Sequence, residues 1–283
     1  MGKQYPLKID AYSHIVPEKY RVFLEAEFPE QCRRRVNGVP TLYDLEARFR
    51  IMDRYEGLVQ VLTLGHPPIE EIAKGEKAIE LARRANDALA DLVSRYPDRF
   101  VSAIAVLPLD DVDAAIAEID RAINDLKMRG ILLNTPVGGK PLDLPEFMPI
   151  YERMAYYDLP ILIHPTRLAN KPDYEGESES RHRVFSLFGW PYETTVAMTR
   201  FVFGGIFGKY PQLKVLTHHC GGMVPYLEER IKQFYDSDET LRGGKDKQGL
   251  VKAPIDYFKS FYNDTAIYGN TSALMCAYTF FWR

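Results

Sequence analysis

The 283-residue sequence predicts an α/β fold, a TIM-like (β/α) barrel, and three observations point there. Apolar, strand-like runs alternate with amphipathic helical segments, the pattern of a parallel sheet with right-handed crossovers. Histidines close three of these runs, Leu7 to His14, Pro160 to His164 and Lys214 to His218-His219, and each is followed by turn chemistry. Metal-capable side chains at C-terminal strand ends are where such a barrel builds its active site, and one barrel of ~250 residues suits the length.

Taken in order, the strands start near Leu7, Leu58, Phe100, Gly130, Pro160, Lys214 and Ser260. Stretches such as Leu58 to Leu64 and Phe100 to Pro108 are almost continuously apolar, as strands buried on both faces require. Ala78, Ala82, Ala85, Leu89, Leu92 and Tyr96 fall on one helix face. Val112, Ile116, Ile119, Ile123 and Leu126 repeat that spacing, with Asp110 or Asp111 as the N-cap. Pro145 suits the first turn of a helix carrying Phe147, Tyr151 and Met154. Val224, Leu227, Ile231 and Phe234 make a helix after the double histidine.

Two stretches break the rhythm of what reads as a single domain over 1–283. Residues 18–57 read as a small cap insertion with a turn at Asn37-Gly38-Val39-Pro40, and residues 167–192 as a lid-like loop. The chain stops at Arg283 straight after a helical segment, where an eighth strand is due. It therefore reads as truncated before strand 8, with strands 1 and 7 left with unpaired edges.

Composition excludes several classes. The 36 basic and 39 acidic residues nearly cancel, so there is no electrostatic footprint for nucleic acid. No run approaches the ~20 apolar residues of a membrane span, and the first residues carry no apolar signal region. Three scattered cysteines without CxxC spacing suit a reducing cytoplasm. No Gly-rich phosphate loop and no GxSxG are present.

The candidate chemistry sits at strand ends. Asp10, Tyr12 and His14 share a strand face, so Tyr12 and His14 reach one mouth together. A satisfied core histidine is the bland alternative. Pro165 holds His164 extended, which fits either a ligand or a loop histidine bonded to a carbonyl. His218 and His219 are adjacent, so strand alternation lets only one face inward; Gly221-Gly222 then allows a tight turn. Arg48, just before strand 2, could clamp a carboxylate, although a surface ion pair is the commoner fate of Arg48 and Arg50. Asp264, ending strand 7, could be a ligand or base, or could bond neighbouring backbone groups. His66, His182, Cys220 and Cys276 read as loop or packing residues.

Four stretches, Ile9 to Pro17, Leu162 to Pro165, Gly189 to Thr194 and Thr217 to Pro225, together resemble the amidohydrolase superfamily. The branch they resemble is that of aminocarboxymuconate-semialdehyde decarboxylase, which includes resorcylate-type decarboxylases. The resemblance implies a (β/α) barrel, often dimeric, with a divalent metal, usually zinc, and a small unsaturated or aromatic carboxylic acid as substrate. It implies His14 and His164 as metal ligands and His219 as the catalytic acid/base. His218 is implied in support and Arg48 as the substrate-carboxylate arginine. Two departures follow. Tyr12 stands where a first ligand histidine is expected, and a phenol with pKa near ~10 is a poor ligand beside imidazole. The last ligand, an Asp ending strand 8, would lie past Arg283.

The expected activity is thus metal-dependent decarboxylation by a cytoplasmic enzyme, with His219 as acid. Zinc binding is expected to be weak unless Tyr12, Asp264 or His219 completes the shell. The rivals are a hydrolase of a cyclic amide or lactone and a non-catalytic remnant barrel. All rest on the imidazoles of His14, His164 and His219 sharing one cavity.

Overall fold

The computed structural model describes residues 6–30, 39–237 and 250–282, and groups the chain into two compact units, Met1–Leu132 and Leu133–Arg283.

The first unit is built on a parallel sheet in the order β1 (Lys8–Ile15), β2 (Leu58–Leu64), β3 (Phe100–Ala103). Lys8 pairs with Leu58 and His14 with Thr63, with a register shift between Asp10 and Ser13. The Glu76–Arg95 helix buries Ala78, Ala82, Ala85, Leu89 and Leu92 of the face that the periodicity predicts, and Leu81 beside them, while Tyr96 is its half-buried C-cap. Burying each leucine stabilises the unit by ~1.5–3 kcal/mol. The Val112–Asn124 helix is capped by Asp111, whose side chain accepts from Ala114 N at 3.0 Å. Asn86 joins this packing through three bonds. Its Nδ2 donates to Glu118 Oε1 (2.7 Å) and Val106 O (2.9 Å), and its Oδ1 accepts from Val106 N (2.9 Å). Arg121 neutralises the buried Glu118 carboxylate from the next helical turn, at 2.8 Å.

A second sheet has the order β4 (Ile131–Thr135), β5 (Ile161–Pro165), β6 (Val215–Thr217), β7 (Tyr262–Asn263), and all of it from Leu133 onward belongs to the second unit. β6 runs parallel to both β5 and β7, with Ile163 opposite Thr217 and Thr217 opposite Asn263. Pro145 opens a 3-10 turn, Pro145–Phe147, that leads into the Met148–Tyr157 helix, where Ile150, Tyr151 and Met154 are buried. The Trp190–Phe203 helix buries Ala197, Met198, Phe201 and Val202.

The elements follow the sequence reading, with differences at their ends. β3 stops at Ala103, although Ile104 to Leu107 remain buried, because burial does not require a ladder. β7 keeps only two residues. The lid-like loop gives way to a π-helical turn, Phe185–Gly189, and then to the Trp190–Phe203 helix; Pro191 suits that first turn because its missing N–H costs nothing there. After the double histidine, a 3-10 turn at Pro225–Leu227 precedes the Glu228–Ser237 helix. Within the expected cap, Glu18–Glu27 and Leu45–Met52 are helical, and Asn37-Gly38 lie outside the described residues. Asn270 caps the closing helix, Thr271–Phe281, through Ala273 N at 3.1 Å. Among the described residues no helix is long and apolar enough to cross a membrane.

Candidate functional site

In the second unit, the ends of β5, β6 and β7 bring four candidate residues together. His164 is the penultimate residue of β5, 5% exposed. Its ring centroid lies 4.8 Å from that of His218 and 6.4 Å from that of His219. Strand alternation had allowed only one of the pair to face this way. The physical reason for the difference is that β6 ends at Thr217, and His219 and Cys220 turn into the left-handed region at φ 56° and 55°. Such positions cost ~1–3 kcal/mol each and persist only when their surroundings hold them.

Asp264 supplies that hold. Its Oδ1 accepts from Cys220 N and from Ala266 N, both at 3.0 Å, while Oδ2 pairs with His218 Nδ1. Of the alternatives read for Asp264, these contacts show the bonding of neighbouring backbone groups, and the same carboxylate faces His218. Burial alone would push its carboxyl up; the hydrogen bond and charge of His218, with the two backbone N–H groups, outweigh that and hold it below the usual range. The two glycines that follow are required. At Gly221 (φ 78°) a Cβ would lie 2.7 Å from Phe281, and at Gly222 (φ 61°) 2.5 Å from Pro191 O.

His219 stacks on the indole of Trp190, with centroids 6.1 Å apart and planes inclined by 27°. Its buried Nδ1 has no hydrogen-bond partner among the described residues. Burial pushes its pKa down to about 3, with the neighbouring His218 adding to the effect and Asp264 opposing it. Trp190 also reaches His164, at 6.4 Å between centroids, and its Nε1 donates to Arg167 O at 2.9 Å. Neither Trp190 nor Arg167 was given a role from sequence; Trp190 lies within the Gly189 to Thr194 stretch that carries the resemblance, and Arg167 three residues beyond His164. Cys220 packs in the core, and burial raises its thiol to about 11, which makes it unreactive. His182 lies exposed in the loop.

Ligand atoms of His164 and His218 lie within 4.8 Å of one another, beside the Asp264 carboxylate. An imidazole and carboxylate donor set of this kind fits a divalent ion of borderline softness, such as zinc or manganese.

In the first unit, His14 Nδ1 meets Thr63 Oγ1 at 2.9 Å, and Tyr12, 8% exposed, sets its ring edge-on to His14 at 5.4 Å. The two side chains share a face, as expected. Arg48 departs from the surface fate read as commoner for it: it is 5% exposed. Its Nε donates to Thr41 O (3.1 Å), its Nη1 to Ser13 Oγ (3.1 Å) and Gln60 Oε1 (2.7 Å), and its Nη2 to the carbonyl of His14. Those bonds commit the guanidinium to bracing β1 against β2. Burial lowers its pKa to about 10, with Asp10 opposing, so it stays cationic at neutral pH. Arg50 takes the surface role instead, 3.8 Å from Glu46.

The sequence profile of the amidohydrolase family matches residues 9–240. The chain belongs to the amidohydrolase family. Within that family it is 36% identical over 231 residues to a gamma-resorcylate decarboxylase of Rhizobium radiobacter, an alignment covering 75% of this chain and 69% of the relative. It is 30% identical over 252 residues to the 2-amino-3-carboxymuconate-6-semialdehyde decarboxylase of Dictyostelium discoideum, covering 83% and 68%. Among solved structures, a dihydroxybenzoic acid decarboxylase of Polaromonas sp., with bound manganese and the inhibitor 2-nitroresorcinol, superposes with a TM-score of 0.79. That match has 28% identity and covers 98% of this chain and 83% of that one. The expected α/β fold and family branch are both borne out: this amidohydrolase is an enzyme of a branch whose named members are metal-dependent decarboxylases.

Proposed function

We propose that this amidohydrolase is a carboxy-lyase that removes carbon dioxide from a small aromatic or unsaturated carboxylic acid. The observation that carries the reading is the grouping of His164, His218, His219 and Asp264 in a chain 36% identical to a gamma-resorcylate decarboxylase.

A divalent ion, zinc or manganese, would when bound draw charge onto itself from a substrate oxygen. His164 and His218 are the imidazoles of the second unit suited to hold it. Asp264 orients His218 through Nδ1, a carboxylate–histidine pairing common behind metal ligands; a direct ligand role for Asp264 is the alternative. His14 joins them on the sequence match alone, with Thr63 engaging its Nδ1. Tyr12 beside it is a substrate contact, and Arg48 acts by holding the His14 carbonyl.

The difficulty in decarboxylation is the electron pair left on carbon when the bond to the carboxyl carbon breaks. His219, buried and seated on Trp190, is the proton carrier. It takes a proton from an acidic group of the bound acid and returns it to that carbon as carbon dioxide leaves. The acid role expected for His219 thus begins with a neutral imidazole. Trp190 excludes water from that exchange. Cytoplasmic location and pairing of two copies remain part of this reading.

A panel of hydroxybenzoic and dienoic acids, assayed for carbon dioxide release with and without added manganese or zinc, tests it. Metal-dependent release from at least one acid is expected. Ring opening of lactones or cyclic amides, with no carbon dioxide from any acid, would establish the hydrolase rival instead.

A further inference from the structure

Three residues past His164, Arg167 enters a cleft of about 760 Å³ within the second unit. That volume is typical of a small-molecule site. The Arg167 side chain is only 15% exposed, and its stem passes over Gly189, where a Cβ would lie 2.5 Å from Arg167 Cδ. A guanidinium has five N–H donors. Among the described residues one hydrogen bond uses them, from Nη2 to Pro172 O at 3.1 Å, and the buried Nε has none.

Two carboxylates stand near, yet neither takes these donors. Glu193 lies 3.6 Å from Nη1 and Asp173 3.9 Å from Nη2, both beyond good hydrogen-bond length. Each is engaged elsewhere: Asp173 accepts from Ser180 Oγ (2.9 Å) and Arg181 N (3.0 Å), and Glu193 from Lys171 Nζ (3.2 Å). They fix the charge in place without satisfying its fork. A buried polar group left so is expected to meet a ligand or ordered water.

The cleft is walled by Tyr174, Phe188, Tyr192 and Met223 together with the charged Glu177 and Arg181, and the three aromatic rings are 76%, 64% and 51% exposed. Water-facing aromatics around an underused guanidinium suit a flat ring bearing a carboxylate. Between Gly189 and Tyr192, which line this cleft, Trp190 turns its own ring to His164 and His219. One helix start therefore serves both the cleft and the histidines.

We propose that Arg167 is a specificity residue that grips a second, non-reacting carboxylate on the substrate ring, so that the preferred substrate is an aromatic dicarboxylic acid. This rests on the decarboxylase reading for the fate of the first carboxylate. The test is calorimetric binding of isophthalate, benzoate and 3-nitrobenzoate to the manganese-supplemented protein; the nitro group matches carboxylate in shape without its charge. Wild type is expected to bind isophthalate at least ten-fold tighter than either other acid. In Arg167→Gln the gap between isophthalate and the other two acids should fall below two-fold. Arg167→Lys keeps a cation for Glu193 and Asp173 but loses the fork, and should narrow the gap to about three-fold. Equal affinities in wild type, or an undiminished gap in Arg167→Gln, would overturn the proposal. Should circular dichroism find Arg167→Gln unfolded, an undiminished gap in Arg167→Lys does the same. Carbon dioxide release from monocarboxylic acids without any isophthalate preference would refute Arg167 and spare the reaction. A preference without carbon dioxide release would do the reverse.

Discussion

His219 owes its chemistry to where its ring is held: buried, against Trp190, with one nitrogen that makes no hydrogen bond among the described residues. Replacing it by Gln keeps the size and removes the proton carrier. His219→Gln is expected to slow carbon dioxide release by ~10²–10⁴-fold while the unfolding midpoint in urea moves little. Arg48 was legible as a residue of interest but not in its role. A carboxylate clamp needs an exposed fork, whereas this guanidinium is bonded to Thr41, Ser13, Gln60 and the His14 carbonyl. Arg48→Met leaves those acceptors without a donor and should cost ~3 kcal/mol of stability in denaturant titration. For a bracing residue, the variant's loss of activity falls mainly on kcat; a large rise in KM with unchanged stability would restore the clamp.

Between residue and fold, the segment after β6 shows how a short sequence sets geometry. Pairing His218 with His219 says nothing of direction until the strand stops. Left-handed turns at His219 and Cys220, fixed by Asp264, swing both imidazoles to the His164 side. Gly222→Ala would press a Cβ to 2.5 Å from Pro191 O at a φ of 61°, and is expected to destabilise by ~2–4 kcal/mol. The same change at Gly176, where nothing lies within 4 Å of a Cβ, should be nearly neutral by thermal unfolding. In the first unit, the helix at Glu76–Arg95 was plain from its apolar period, but Asn86 on it was not a residue to notice. Asn86→Ala strands both Val106 backbone groups, while Glu118 Oε1 keeps its bond from Arg121, and should lower stability by ~2–4 kcal/mol in guanidinium melts.

For the molecule as a whole, a bound ion should couple to stability because only the folded chain presents its ligands together. Manganese at ~100 times its dissociation constant is expected to add ~2.7 kcal/mol, reversed by a chelator, and His164→Ala should abolish that gain. An equal gain in the variant would remove His164 from the centre. The sequence by itself determined the alternation of strands and helices, because burial on two sheet faces and one helix face imposes periods that can be read directly. It also determined the family, through motifs whose order survives at 36% identity to a named decarboxylase. Tertiary structure alone decided which side chains use their polar atoms on the protein and which hold them ready. Arg48 and Arg167 are the same residue type, each close in sequence to a candidate ligand strand. One is consumed by carbonyls and amides that other segments bring to it, and the other, among the described residues, makes one hydrogen bond from its fork and stands near two carboxylates. Hydrogen-bond satisfaction depends on neighbours distant along the chain, and no local pattern encodes it.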